Sequence, residues 1–158
     1  MTSTKAAAER FLAAQRIAVT GVSRTPGSHG ANVVYVRLRE TGYDVFAVNP
    51  HAETVEGDPC FPDLASIPGG VEAVVIGTRP AHAAETFREA AELGIDQVWM
   101  HRSVDAGSVD DAATAYGRAH GMTVIDGGCP LMFGRPSDRT HRVMCRFMTW
   151  TGRVPRTV

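Results

Sequence analysis

The sequence predicts a single doubly wound α/β domain built on a mainly parallel, five-stranded sheet. Three observations carry this. Five short runs are apolar on both faces, as strands covered by helices on both sides must be. Segments of helical period stand between most of them. The first run passes directly into a glycine-rich turn that opens a helix.

The strands are "RIAVTGV" (16–22), "DVFAV" (44–48), "EAVVIG" (72–77), "DQVWM" (96–100) and "MTVID" (122–126). "MTSTKAAAERFLAAQ" precedes them as an amphipathic polar helix without the character of a signal peptide. "GANVVYVRLRETG" places Ala31, Val34 and Leu38 on one face and ends at Gly42. "PAHAAETFREAAELG" opens with Pro80, lines up Ala83, Phe87, Ala90 and Ala91, and stops at Gly94. "SVDDAATAYGRAHG" reads as a helix N-capped by Ser108, with Val109, Ala112, Ala113 and Tyr116 as its stripe. "HAETVEGDPCFPDLASIPGG" is rich in Pro and Gly and reads as a loop with one helical turn near Asp63–Ser66. After Asp126, "GGCPLMFGRPS" is irregular, and "DRTHRVMCRFMTW" forms a last basic, amphipathic helix. Its stripe Val143, Phe147 and Trp150 is expected to pack on the domain or on a second copy, so a homodimer is one expectation. Right-handed crossovers then give the Rossmann-like strand order 3-2-1-4-5.

Composition narrows the function. The 158 residues are 44% hydrophobic, enough for one core, and Lys plus Arg (16) nearly balance Asp plus Glu (17). A net charge of −1 gives no overall basic field for nucleic acid. No apolar run reaches membrane-spanning length, so no membrane partner is expected. Three cysteines without paired spacing point to a reducing, cytoplasmic setting. Neither the histidines nor the cysteines show metal-ligand spacing.

Ligands of such sheets bind beyond the carboxyl ends of the strands, at the switch point. The strongest stretch there is "GVSRTPGSHG" (21–30). Gly21 turns the chain tightly off the strand, Val22, Ser23 and Ser28 continue the loop, and Gly27 and Gly30 allow close backbone approach. Free amides at the helix start suit a pyrophosphate, with Arg24 and His29 as side-chain donors. The spacing of Gly21, Gly27 and Gly30 is longer than the dinucleotide fingerprint G-x-G-x-x-G allows. At the end of the second strand, Asn49 and Pro50 stand where NAD proteins place an acid for the ribose hydroxyls. This argues against NAD and leaves NADP or coenzyme A, whose ribose phosphate Arg24 could meet. Gly77, Thr78, Arg79 and Pro80, and Met100 with His101, Arg102 and Ser103, follow later strands into the same region.

"GVSRTPGSHGANVV", "GYDVFAVNPHAETVEGDPCFPDLASIP", "VEAVVIGTRPAHAAETFREAAELGIDQVWM" and "GMTVIDGGCP" resemble, in order and spacing, the motifs of the small stand-alone CoA-binding domain proteins. These are similar to the N-terminal CoA-binding domain of the succinyl-CoA synthetase α subunit. The resemblance covers residues 10–135 and implies a Rossmann-like fold with coenzyme A as ligand. It implies that the phosphates meet Gly21, Ser23, Arg24 and the turn through Gly30. It further implies that the adenosine end lies near Asn49 and Pro50 and that Thr78, Arg79 and Pro80 line the way to pantetheine. His29 stands where family members commonly carry Lys, and His101–Arg102–Ser103 where they often have a Gln-x-Gly turn.

Cys129 in "GGCP" reads as a small buried residue before Pro130; as a nucleophile it would need a base such as His101. Trp99 reads as core, and His51, His82, His120 and His141 as solvated surface. No catalytic residue stands out. The expected function is non-catalytic binding of coenzyme A or an acyl-CoA. The alternative is an NADP- or nucleotide-dependent enzyme with an unidentified catalytic partner.

Overall fold

A computed structural model describes residues 2–27, 29–102, 107–137, 139–152 and 154–158. The chain runs through α1 (Thr4–Phe11), β1 (Arg16–Thr20), α2 (Gly30–Glu40), β2 (Asp44–Val48), β3 (Thr54–Val55) and β4 (Asp58–Phe61). It continues through β5 (Ala73–Ile76), α3 (Pro80–Glu92), β6 (Gln97–Met100), α4 (Asp111–Ala119), β7 (Thr123–Asp126), a 3-10 turn (Pro130–Met132) and α5 (Arg139–Trp150).

The sheet has seven strands in the order β3-β4-β2-β1-β5-β6-β7, parallel except for the β3–β4 pair. This corrects the expected five strands and their order. The strand at 73–76 pairs with β1, on the side away from β2. The third Rossmann position, beside β2, belongs to β4, in the stretch read as a loop. Taken without β3, the parallel strands follow the full Rossmann order 3-2-1-4-5-6. β4 escapes sequence reading because it is four half-exposed residues around Pro59, and proline marks an edge, not a central strand. Its hairpin turn is Glu56–Gly57, with φ of 52° and 85°, the two left-handed residues of a type I′ turn. Asn or Asp in the first place would have signalled it. The segment near Asp63–Ser66 forms a turn without a helix, closed where the Ser66 amide donates to Asp63 Oδ1 at 2.8 Å.

Alternate strand residues feed two cores. Ile17, Val19, Val75, Trp99 and Ile125 pack on one face with Phe11 of α1 and Val34, Tyr35 and Leu38 of α2. Ala18, Val74, Ile76, Val98 and Val124 pack on the other with Ala83, Phe87 and Ala90 of α3 and Ala113 of α4. Trp99 is fully buried, donates its indole N–H to Gly127 O at 2.9 Å and meets Phe11 edge-on.

Two helix details differ from expectation. Asp110, not Ser108, caps α4, its carboxylate accepting from the Ala113 amide at 2.7 Å. Ser108 is buried two residues earlier, its amide donating to His101 O, so the chain first turns back on the end of β6. On α5 the stripe Val143, Phe147 and Trp150 does not pack on the domain; these residues are 69%, 59% and 79% exposed, and Met148 is the buried anchor. His141 is half-buried and engaged, not a solvated surface residue.

Candidate functional site

β1 and β5 are parallel neighbours whose chains cross to opposite faces of the sheet, to α2 and to α3, and their exits touch. Gly21 sits at φ 75°, and a Cβ there would stand 2.4 Å from the Gly77 carbonyl group. A Cβ on Gly77 would in turn meet Ala31 Cβ at 2.6 Å and Thr20 O at 2.7 Å. Two glycines therefore let β1, β5 and the start of α2 converge, which opens the crevice of the switch point beside them.

That crevice is a cleft of about 790 Å³. Gly21, Val22, Ser23, Arg24 and His29 line it from the β1–α2 connection, Asn49 and Pro50 from the end of β2, and Thr78 from the end of β5. Eight of the candidate residues thus meet in one cavity. The others lie around it. Gly77 is at the β1–β5 contact, and Gly30 opens α2 with its Cα against His101. His101 is buried, so it backs the start of α2 instead of lining the cleft. Met100 is fully buried, and its sulfur accepts from the Thr114 hydroxyl at 3.1 Å. Arg79 is exposed at the N-cap of α3, and Pro80 is the first residue of that helix. Ser28 and Ser103 lie outside the described residues.

The loop after β1 is held by side chains that sequence reading passed over. Asn32, fully buried in the first turn of α2, accepts from the Ser23 amide at 2.7 Å. Its own amide group donates to Ser23 O at 2.9 Å and to Glu56 Oε1 at 2.8 Å. The Gly27 amide donates to the same Glu56 oxygen at 2.9 Å. Asn32 first and Gly27 second hold the Glu56 carboxyl below the usual glutamate range. Asn49 donates to Val22 O at 2.8 Å and accepts from the His51 amide at 2.8 Å, so it braces the loop from the other side. The Gly30 and Ala31 amides find no acceptor among the described residues, and His29 makes no side-chain cap. An anion can therefore satisfy them.

The far wall was also missed. His82, Glu85, Thr86 and Glu89 project from one face of α3, opposite His51 and Asp63. Their 0, 3, 4, 7 spacing marks a shared helix face. Nothing in it distinguishes a cleft from solvent. The cleft thus carries the Arg24 guanidinium and the His29 imidazole at one end and the carboxyl groups of Asp63, Glu85 and Glu89 elsewhere in its wall. Thr78 Oγ1, in the cleft wall, is buried without a hydrogen-bond partner among the described residues. Cys129 is buried apart from the lining, and burial pushes its thiol up to about 12, which suppresses the thiolate a nucleophile requires. No group of three or more metal-ligating side chains occurs among the described residues.

A Rossmann-like order, a glycine contact at the switch point and open amides at the start of α2 define an α/β domain of the nucleotide-cleft class. Residues 15–135 match the family model described as CoA binding domain, and the chain belongs to that family. A stretch of 81 residues is 33% identical to an ADP-forming acetate–CoA ligase II of Archaeoglobus fulgidus, covering 50% of this chain and 12% of the ligase. Another of 94 residues is 26% identical to trans-feruloyl-CoA synthase FCS1 from an unknown prokaryotic organism, covering 59% of this chain and 13% of the synthase. The chain therefore matches little more than a tenth of these relatives. A solved structure of a hypothetical protein from Pyrococcus horikoshii OT3 superposes with a TM-score of 0.74 at 27% identity, over 90% of this chain and 92% of that one. The family supports coenzyme A as ligand; NADP finds no support in it.

Proposed function

We propose that this chain binds coenzyme A or an acyl-CoA through the loop after β1 and does not turn it over, residues 1–158 acting as one binding domain. The observation that carries the reading is the cationic end of the cleft. Arg24 and His29 flank an α2 start whose first two amides have no acceptor among the described residues, in a chain of the CoA-binding family. The phosphates belong at Arg24, His29 and Gly30, where charge and helix dipole act together. The adenosine belongs near Asn49 and Pro50, which bring no carboxylate of their own at the end of β2. The pantetheine arm belongs along Thr78, Arg79 and Pro80, with Thr78 Oγ1 free to bond it.

The binding role without chemistry rests on the same cavity. Among the described residues its lining holds no cysteine or lysine, Cys129 stands apart as a suppressed thiol, and no hydrogen bond joins a lining hydroxyl to a lining histidine as a nucleophile–base pair would require. The three cysteines, all free, support a reducing compartment such as the cytoplasm.

Thermal unfolding with coenzyme A, dephospho-CoA, NADP and ATP tests the reading. Coenzyme A at a hundredfold excess over its dissociation constant stabilises by about 2.7 kcal/mol, and dephospho-CoA at equal concentration does less. A response to NADP alone, or to none of the four, would overturn it.

A further inference from the structure

The charge of the chain is divided sharply along its length. Residues 135–158 hold six arginines and one aspartate, a net of +5, so the remaining residues carry −6. The centre of this basic segment is α5, which contains no acidic residue. Arg139, Arg142 and Arg146 recur at helical spacing and form one row; all three are exposed, and none makes an ion pair among the described residues. Beside it runs the exposed row of Val143, Phe147 and Trp150, with the Phe147 and Trp150 rings 6.3 Å apart. Met148, on the opposite side, ties the helix to the domain. Such an outward face, cationic along one edge and aromatic along the other, has no partner among the described residues.

We propose that this face of α5 docks on an anionic lipid surface. The arginine row meets the headgroup charge, and Val143, Phe147 and Trp150 enter the boundary between headgroups and acyl chains. The helix lies on the surface and does not cross it; no helix among the described residues is long and apolar enough to span a bilayer. Charge selects this occupant. A second copy pairing through α5 would bring another arginine row to the same contact. A field of one sign spread along a whole helix matches a diffuse negative surface better than a protein groove, where charges pair singly.

The protein supplies its own probe. Trp99 is fully buried and Trp150 is 79% exposed, so a change in tryptophan emission on docking belongs to Trp150. The protein is mixed with vesicles of phosphatidylcholine, with and without about one third phosphatidylglycerol, and followed by emission and co-sedimentation. The expected result is a blue shift and pelleting with the anionic vesicles alone. R142E/R146E should lose about tenfold or more in bound fraction, with W150A also weakened by co-sedimentation. Circular dichroism confirms that the variants remain folded. No shift, or equal binding to neutral vesicles, overturns the proposal. So does a blue shift without vesicles accompanied by a doubled mass, which would assign the face to a second copy.

Discussion

Asn32 and Glu56 tie a helix start to a hairpin turn at the edge of the sheet: Asn32 Nδ2, at the start of α2, donates to Glu56 Oε1, in the β3–β4 hairpin, at 2.8 Å. The Gly27 amide reaches the same oxygen, so the hairpin turn serves as an acceptor for the loop after β1. Replacing Asn32 by Ala removes three hydrogen bonds from a fully buried position and strands the Ser23 amide. The expected loss is about 2–3 kcal/mol in urea unfolding, together with weaker coenzyme A binding. Unchanged stability would mean that the loop holds its shape without Asn32.

The other half of this contact titrates. Glu56 has a carboxyl held below its ordinary value by Asn32 and Gly27. A group depressed in the folded state stabilises above its unfolded value, and that contribution disappears as pH falls through the folded value. Wild type should therefore exceed E56A in stability at neutral pH, with the gap narrowing through and below the carboxylate range. Unfolding of both proteins across acidic pH measures it. A gap independent of pH would assign the effect of E56A to packing or to the left-handed turn.

Part of this architecture was readable and part was not, for physical reasons. The five apolar strands and the main helices announce themselves through apolar runs and helix stops, and "GVSRTPGSHG" through its glycines beside a strand. β4 carries its information in pairing to β2 and β3, with Pro59 and half-exposed residues that mimic a loop. Asn32 looks like a polar interruption in an amphipathic helix, and only tertiary structure reveals that Ser23 and Glu56 surround it. Asn49 was noticed for the acid it replaces, whereas its visible work is to hold Val22 O. The α3 wall, His82 to Glu89, has the composition of any solvated helix face.

Gly21 and Gly27 separate two costs that sequence treats alike. Both have left-handed φ, 75° and 64°, but a Cβ on Gly21 would collide with the backbone of Gly77 and Thr78, while one on Gly27 meets nothing within 4 Å. G27A should cost about 1 kcal/mol, the conformational penalty alone. G21A adds a backbone clash and should cost more than about 3 kcal/mol or prevent folding. Equal effects in denaturant unfolding would show that β1 and β5 can separate freely at the switch point.

Cys129 tests whether the cleft uses a thiol. Burial raises its pKa to about 12, against half-buried Cys60 and Cys145, which are raised less. In the native protein at pH 8, iodoacetamide should modify Cys129 last, at a rate limited by opening of the fold. C129S should leave coenzyme A affinity within about twofold, a change smaller than the loss of one hydrogen bond. A large loss, or rapid alkylation that coenzyme A blocks, would put the thiol in the site.

Arg24 gives the sharpest test of what the cationic end reads. It is exposed, lies on the loop beneath which Asn32 and Asn49 are anchored, and lines the cleft with His29. A guanidinium bonded to a phosphate contributes about 1.5–3 kcal/mol, so R24A should weaken coenzyme A by about tenfold or more. Dephospho-CoA, which lacks the ribose phosphate but keeps the pyrophosphate, should lose much less. Isothermal titration of both ligands against both proteins gives the coupling directly. Equal losses would move Arg24 to the pyrophosphate and leave the ribose phosphate to His29 or the amides of α2. No loss with either ligand would remove Arg24 from the site, and the proposed orientation of coenzyme A in the cleft would fall with it.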